Sequence, residues 1–186
     1  MPVNKKLRSA IASYLLSREI KLSKRKGVSV SLEAASTIGI VYDSSSEKVY
    51  ELIKKTVKDL RAMQKDVLAL GYYNRKELPP MRFAKLGMDF FTRKALNWQM
   101  KPSGTVVSNF IALPFDILII LHSEQIIPIR FIAAHSHAKF KIGKFDSRNE
   151  QVCDMMIDTR EESSSARLLE QILKYLNMIK NDYQKI

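Results

Sequence analysis

The sequence predicts an α/β protein: a three-layer, Rossmann-like domain with a mainly parallel sheet, preceded by a basic amphipathic N-terminal helix. Three observations predict it. The chain has 186 residues, the size of one ordinary domain. Its short apolar runs are nearly unbroken by polar residues, a pattern typical of strands covered on both faces. These runs alternate with segments of helical periodicity, as in α/β folds. We place the basic helix or arm at 1–27 and the α/β domain at 28–186.

The N-terminal helix is predicted over 5–22. One stripe of apolar residues recurs at helical spacing and is expected to form its packing face: Leu7, Ile11, Tyr14, Leu15 and Leu22. Two interpretations stay open. The helix packs this stripe on the domain, or it is a detachable arm that lies on RNA, a partner protein or a lipid surface.

The first βαβ unit is predicted between residues 37 and 73. An apolar strand at 37–42 precedes a helix at 47–63 and a second strand at 66–73. Residues 88–98 then indicate a strand followed by a helical turn. The remaining predicted elements are a helix at 106–113, a strand at 115–121, a helix at 126–134, strands at 138–142 and 152–159, and a helix at 163–180.

The strand at 138–142 carries alternating lysines. Lys139 and Lys141 alternate with apolar residues, so one face is expected to be apolar and the other cationic, as in an edge or partly covered strand. The alternative is that Lys139, Lys141 and Lys144, with Arg148, form a surface patch for phosphates.

Metal, nucleotide and disulfide chemistry is not predicted. His135 and His137 straddle the expected end of a helix, where they diverge and bond orphan carbonyls more readily than they share a metal. The glycine-rich phosphate-binding motifs are absent, so no cofactor and no catalytic residue are expected. Cys153 is the single cysteine, is expected to be buried, and fits a reducing cytoplasm. No segment is long and apolar enough to span a membrane.

A ligand cleft is predicted where the parallel strands end, because open α/β sheets bind ligands beyond the carboxyl ends of their strands. The candidate residues for it are Asp43, Ser44, His122 and Gly143. A helix that begins after Ser44 can hold an anion through its first amides.

Charge indicates the kind of partner. The net charge is +12, and residues 1–27 hold eight basic residues against one acidic residue. A segment with such an excess of positive charge attracts a polyanion, and we expect this polyanion to be RNA or a ribonucleoprotein such as the ribosome. The candidate nucleic-acid-binding residues in this segment are Lys5, Lys6, Arg8, Arg18, Lys21, Lys24, Arg25 and Lys26. The alternatives are a charge that only keeps the protein in solution, and a peripheral membrane or protein-interaction module.

A second cationic segment contains aromatic residues. Arg93, Lys94, Asn97 and Trp98 follow two phenylalanines, and aromatics interleaved with cations can stack nucleic-acid bases. The alternative is that the tryptophan packs against an edge of the domain.

Two stretches resemble known families. Residues 114–121 and 129–143 are similar to the strand, short helix, Ala-Lys, strand, Gly passage in the N-terminal halves of heptosyltransferase-type glycosyltransferases. The motifs Leu-Pro-Phe-Asp and Ala-Lys-Phe-Lys-Ile-Gly, with the order of elements over 36–180, resemble more closely an uncharacterised family of short bacterial proteins. The resemblance implies a Rossmann-like fold and no particular activity. The transferases are about twice as long and carry a glycine-containing loop after their first strand. Here Asp43 stands where their catalytic acid lies, and a transferase-like half-domain acting with a partner chain is the enzymatic alternative.

Overall fold

The fold is a six-stranded, entirely parallel sheet with helices on both faces, in the order β3-β2-β1-β4-β5-β6. The structure is a computed structural model that describes residues 5–22, 25–80, 82, 87–122, 126–159 and 164–179. The strands are β1 (Thr37–Asp43), β2 (Asp66–Tyr73), β3 (Met88–Thr92), β4 (Ile117–Leu121), β5 (Phe140–Lys144) and β6 (Met155–Ile157). The helices are α1 (Lys5–Leu22), α2 (Glu47–Ala62), α3 (Thr105–Ala112), α4 (Ile127–His135) and α5 (Ser165–Met178). The predicted fold class is confirmed.

Two apolar cores lie on opposite faces of the sheet. Alternate side chains of β1 point to opposite faces, so Ile38, Ile40 and Tyr42 pack against α2 and α5, whereas Val41 belongs to the core of the other face. That second core contains apolar residues of α1, α3 and α4. All five residues of β4 are buried, which explains its unbroken apolar sequence.

The order in which strands are added changes side at the centre of the sheet. The chain adds β2 and β3 outward from β1 toward one edge, returns to the centre with β4, and adds β5 and β6 toward the other edge. The carboxyl ends of β1 and β4 therefore flank the switch point at which open α/β sheets place ligands.

The N-terminal helix packs on the domain, but not through the predicted stripe. Among the side chains of this helix that the structure describes, the buried ones are Ala12, Leu16 and Ile20, at successive intervals of four. The side chain of Leu22, a member of the predicted stripe, lies outside the described residues. Leu7 and Tyr14 are exposed, so the predicted packing face is wrong. Apolar residues are scattered around this helix, and its periodicity therefore does not single out one face.

The prediction of an edge strand at 138–142 is also wrong. The strand β5 pairs with β4 on one side and β6 on the other. Lys139 precedes the strand, and Lys141 has only 1% of its surface exposed. Lys141 donates from Nζ to the Ala134 carbonyl oxygen at 3.2 Å, close to the carboxyl end of α4. A cation there satisfies a helix carbonyl and meets the negative end of the helix dipole, which explains how the sheet interior accommodates a lysine.

Candidate nucleic-acid interface

The basic helix α1 crosses one face of the sheet and reaches both of its edges. Near its start, Arg8 donates from Nε to the Trp98 carbonyl oxygen at 2.5 Å and from Nη2 to that of Asn97 at 2.7 Å. Those carbonyls follow β3, at the carboxyl edge. Beyond the other end of the helix, Arg25 donates to the carbonyl oxygens of Ala138 and Lys139, which precede β5 at the amino edge.

Three arginines from distant segments lie at the carboxyl edge. Arg75 follows β2 and Arg93 follows β3, and the Arg93 amide donates to the Arg75 carbonyl oxygen at 2.9 Å. Arg8 and Arg93 both act on the hydroxyl of Tyr72: burial raises the pKa of Tyr72 to about 12, the charge of the Asp43 carboxylate adds to that rise, and the two guanidiniums oppose it. We call Arg8, Arg75 and Arg93 the carboxyl-end basic cluster.

The charge of this cluster is not neutralised by ion pairs. Within the described ranges, no carboxylate forms a salt bridge with Arg8, Arg75 or Arg93. Arg8 is held by neutral carbonyls, which fix the guanidinium and leave its full charge. Arg18 and Lys21, further along α1, are exposed and likewise form no ion pair with the described residues. The carboxyl edge and the outer side of α1 therefore keep a positive field.

A rigid loop over 95–103 presents an exposed tryptophan beside the cluster. The Asn97 side-chain oxygen accepts the amides of Gln99 at 2.9 Å and Lys101 at 3.0 Å, which closes the loop on itself. The Trp98 carbonyl is fixed by Arg8, yet 64% of the Trp98 surface is exposed. The backbone of Trp98 is therefore fixed, and its indole is largely exposed. Trp98 is not buried against the domain.

The cations at the amino edge form a different arrangement. A cleft of about 530 Å³ separates the end of α1 from the end of α4. Its basic lining residues are Arg25, Lys26, His135, His137 and Lys139. We call it the amino-end cleft.

Most of these amino-end cations are already paired. Arg25 forms an ion pair with Asp154, and Lys139 Nζ lies 2.8 Å from Asp116 Oδ1. His135 Nε2 lies 3.0 Å from a carboxylate oxygen of Glu19. The cleft is cationic by composition but largely neutralised within the fold.

His135 lies at the end of α4 and contacts its last turn. Its Nδ1 lies 2.9 Å from the Phe131 carbonyl oxygen in the last turn of α4, and its ring stacks on the Phe131 ring at 4.0 Å between centroids. His137 is exposed in the segment that follows. In the part of the chain that the structure describes, no three His, Cys, Asp or Glu side chains are grouped so that they could hold a metal ion.

The remaining lysines predicted to contact phosphate differ in how accessible they are to a ligand. Lys26 is exposed and Lys144 is half-buried at the end of β5, whereas Lys141 is enclosed between the sheet and α4, where a phosphate backbone does not reach it. The side chains of Lys5 and Lys6 and the whole of Lys24 lie outside the described residues.

The predicted ligand cleft is only partly assembled. Asp43 and Ser44 end β1 and His122 follows β4, so these three flank the switch point. The polar atoms of the first two are engaged in the fold: Asp43 Oδ1 accepts the Ser45 amide at 2.9 Å, and Ser44 Oγ donates to the Tyr72 carbonyl oxygen at 3.0 Å. Gly143 lies inside the sheet, where an added Cβ would come within 3.3 Å of the Cys153 sulfur. Its role there is close packing.

Arg75 is the cluster member that sequence reasoning missed. It lies in a turn-rich connection with no periodicity, and only the pairing of β2 with β3 brings it to Arg93. The available signal was its position directly after a predicted parallel strand.

The fold and this surface together define an open α/β protein with an unneutralised basic cluster at the carboxyl edge of its sheet. The chain belongs to a family described as "Family of unknown function (DUF6913)", which matches residues 8–179. No curated protein and no solved structure matches the chain. None of the described helices is both long and apolar enough to cross a membrane.

Proposed function

We propose that this protein binds a polyanion, RNA or a ribonucleoprotein, without catalysis and in the cytoplasm. The observation that carries the proposal is the convergence of Arg8, Arg75 and Arg93 at one edge of the sheet without a carboxylate partner among the described residues. Arginines favour phosphate because their planar donors match its oxygens. The exposed Arg18 and Lys21 extend the same surface along α1.

Charge neutralisation predicts a measurable salt dependence. The logarithm of the binding constant for a single strand should fall linearly with the logarithm of the salt concentration, with a slope of about −0.7 for each phosphate contacted. Removing two contacts should therefore reduce the steepness of that slope by about 1.4. The test is the double variant Arg75→Gln with Arg93→Gln, because both side chains are exposed and their loss leaves the core intact.

The matched control is Lys55→Gln with Lys58→Gln. Both lysines are exposed on α2, which packs on the opposite face of the sheet, and the change in net charge is the same. Fluorescence anisotropy with a labelled oligonucleotide should show weaker binding and a shallower slope for the arginine variant only. Equal losses in both variants would mean that net charge alone attracts the polyanion. No binding by the unaltered protein at low salt would refute the proposal. Deleting residues 1–27 is a poor test because α1 contributes to the core.

A second candidate function is a glycosyltransferase-like half-domain that acts with a partner chain. The position of Asp43 at the switch point, next to the first residues of α2, favours it. The test is thermal stabilisation by a panel of nucleotide sugars that is lost in Asp43→Asn. An unchanged melting temperature across the panel would count against it.

A further inference from the structure

The carboxyl-end basic cluster has an exposed aromatic ring beside it, and phosphate binding does not require such a ring. Trp98 is the only tryptophan in the chain, and it is 64% exposed. Single exposed apolar residues are common on protein surfaces, so the position of this ring beside the arginines, and not its exposure alone, makes it a candidate contact. Because Arg8 fixes the Trp98 backbone, little backbone entropy remains to be lost when a partner binds.

The neighbouring charges determine what kind of partner suits the ring. Arg8 is bound directly to the Trp98 carbonyl, and Arg93 lies five residues before it on the same connection. A partner that covers Trp98 must therefore be negatively charged along its length and must offer flat apolar faces. Unpaired nucleotides combine the two, since their phosphates meet arginines and their bases stack on aromatic rings. In a duplex the bases are stacked on one another and withheld from the ring.

We propose that Trp98 is a base-stacking platform and that the protein binds single-stranded nucleic acid there. This inference rests on the proposed function, because Arg8, Arg75 and Arg93 supply the phosphate contacts. It adds that a base, and not only the phosphate backbone, is held. Stacking on an open ring tolerates any base, so little sequence preference is expected.

The single tryptophan provides a direct measurement. Three ligands of equal length are compared: an oligouridylate, an abasic oligonucleotide with the same number of phosphates, and a duplex. The oligouridylate should quench Trp98 fluorescence, and the abasic strand should bind without comparable quenching. Loss of one stacked base in Trp98→Ala should weaken oligouridylate binding about tenfold. Affinity for the abasic strand should stay unchanged, and Trp98→Phe should restore most of the loss. Since the side chain is exposed, neither variant is expected to disturb folding.

Each outcome separates the two proposals. If all three ligands bind equally well and Trp98→Ala changes nothing, stacking is refuted while polyanion binding stands. If none binds at low salt, both proposals fall. Tighter binding to the duplex than to the single strand also refutes stacking. A fourth arm uses vesicles of phosphatidylglycerol. A blue shift of Trp98 emission with vesicles, but no quenching by oligonucleotides, would assign the ring to a membrane surface instead.

Discussion

Replacing the buried lysine by methionine is expected to change how stability depends on pH. Lys141 is 1% exposed, and its ammonium donates to a single carbonyl, that of Ala134. Burial lowers the pKa of Lys141 from 10.5 to about 8, with the nearby charge of Arg25 acting in the same direction and that of Asp154 opposing it. The folded state therefore holds this proton less tightly than the unfolded chain does.

The direction and the size of the pH effect on stability follow from this difference in pKa between the folded and the unfolded state. Between pH 8 and 10.5 the unfolded chain binds more protons at this position than the folded one, so the contribution of Lys141 to stability rises with pH. Below pH 8 both states are protonated and the contribution is constant. A pKa lowered from 10.5 to about 8 corresponds to about 3 kcal/mol. The stability of Lys141→Met relative to the unaltered protein should therefore fall by about 3 kcal/mol from pH 7 to 10.5.

The assay is urea unfolding at constant ionic strength, followed by circular dichroism of the backbone at several pH values. Alkaline groups remote from Lys141 titrate in both proteins and cancel in the difference. The Cys153 thiol interacts with Lys141 and would not cancel, so Cys153→Ala is introduced into both proteins. Lys55→Met on the exposed face of α2 is the matched control, because it removes an amine that is already in water. A difference between Lys141→Met and the unaltered protein that does not vary with pH would show that water reaches the Lys141 ammonium, and the reasoning would fail.

Three further predictions concern stability and reactivity. Leu16→Ala should cost about 2–5 kcal/mol in urea unfolding, because Leu16 is 3% exposed in a core; an unchanged midpoint would make α1 dispensable. Burial raises the pKa of Asp116, but the Lys139 ammonium and two backbone amides outweigh it and lower that pKa from 3.8 to about 2. Stability present above pH 3.8 is thus lost toward pH 2, and Asp116→Asn should abolish this acid dependence and cost about 2 kcal/mol at pH 7. Burial raises the pKa of Cys153 to about 12, so a thiol reagent at pH 8 should modify it only on unfolding; rapid modification of the folded protein would contradict this.

The strands that are covered on both faces could be predicted closely. The strand β2 runs over the predicted residues 66–73, and α2 ends one residue before its predicted end. Their sequence patterns are strong because every residue of β4 and the large apolar residues of β1 meet a core on one face or the other. Boundaries shifted most at β6, predicted over 152–159 and observed over 155–157, where the apolar residues before the strand are buried without pairing in the sheet.

Two local patterns were misinterpreted because tertiary contacts override them. Alternation of lysine with apolar residues in β5 is the pattern of a half-exposed strand, yet the Lys141 side chain reaches the end of α4. No local pattern shows that a helix end lies there. In α1 the small residue Ala12 contributes little to the hydrophobic pattern of the sequence, although it lies on the packing face with Leu16 and Ile20.

The candidate site depends on the order of the strands in the sheet, which local sequence patterns do not predict. Charge alone makes Arg8 a candidate nucleic-acid contact in the sequence, and the neighbouring aromatic residues make Arg93 one. Their proximity follows from α1 lying across the sheet and from β3 pairing with β2. Predicting it would have required choosing this order among several that the same elements allow.

The two ends of α1 show why a count of basic residues is a poor guide to polyanion binding. At the amino edge, Arg25 and Lys139 pair with carboxylates and bond the chain, so their charges stabilise the fold. At the carboxyl edge, Arg8 is fixed by neutral carbonyls, which orient a cation without cancelling it. A charge held in place and left uncompensated acts on a ligand at closer range and with less screening than a mobile surface lysine does. We therefore expect the affinity for nucleic acid to depend on the few arginines at that edge more than on the net charge of +12.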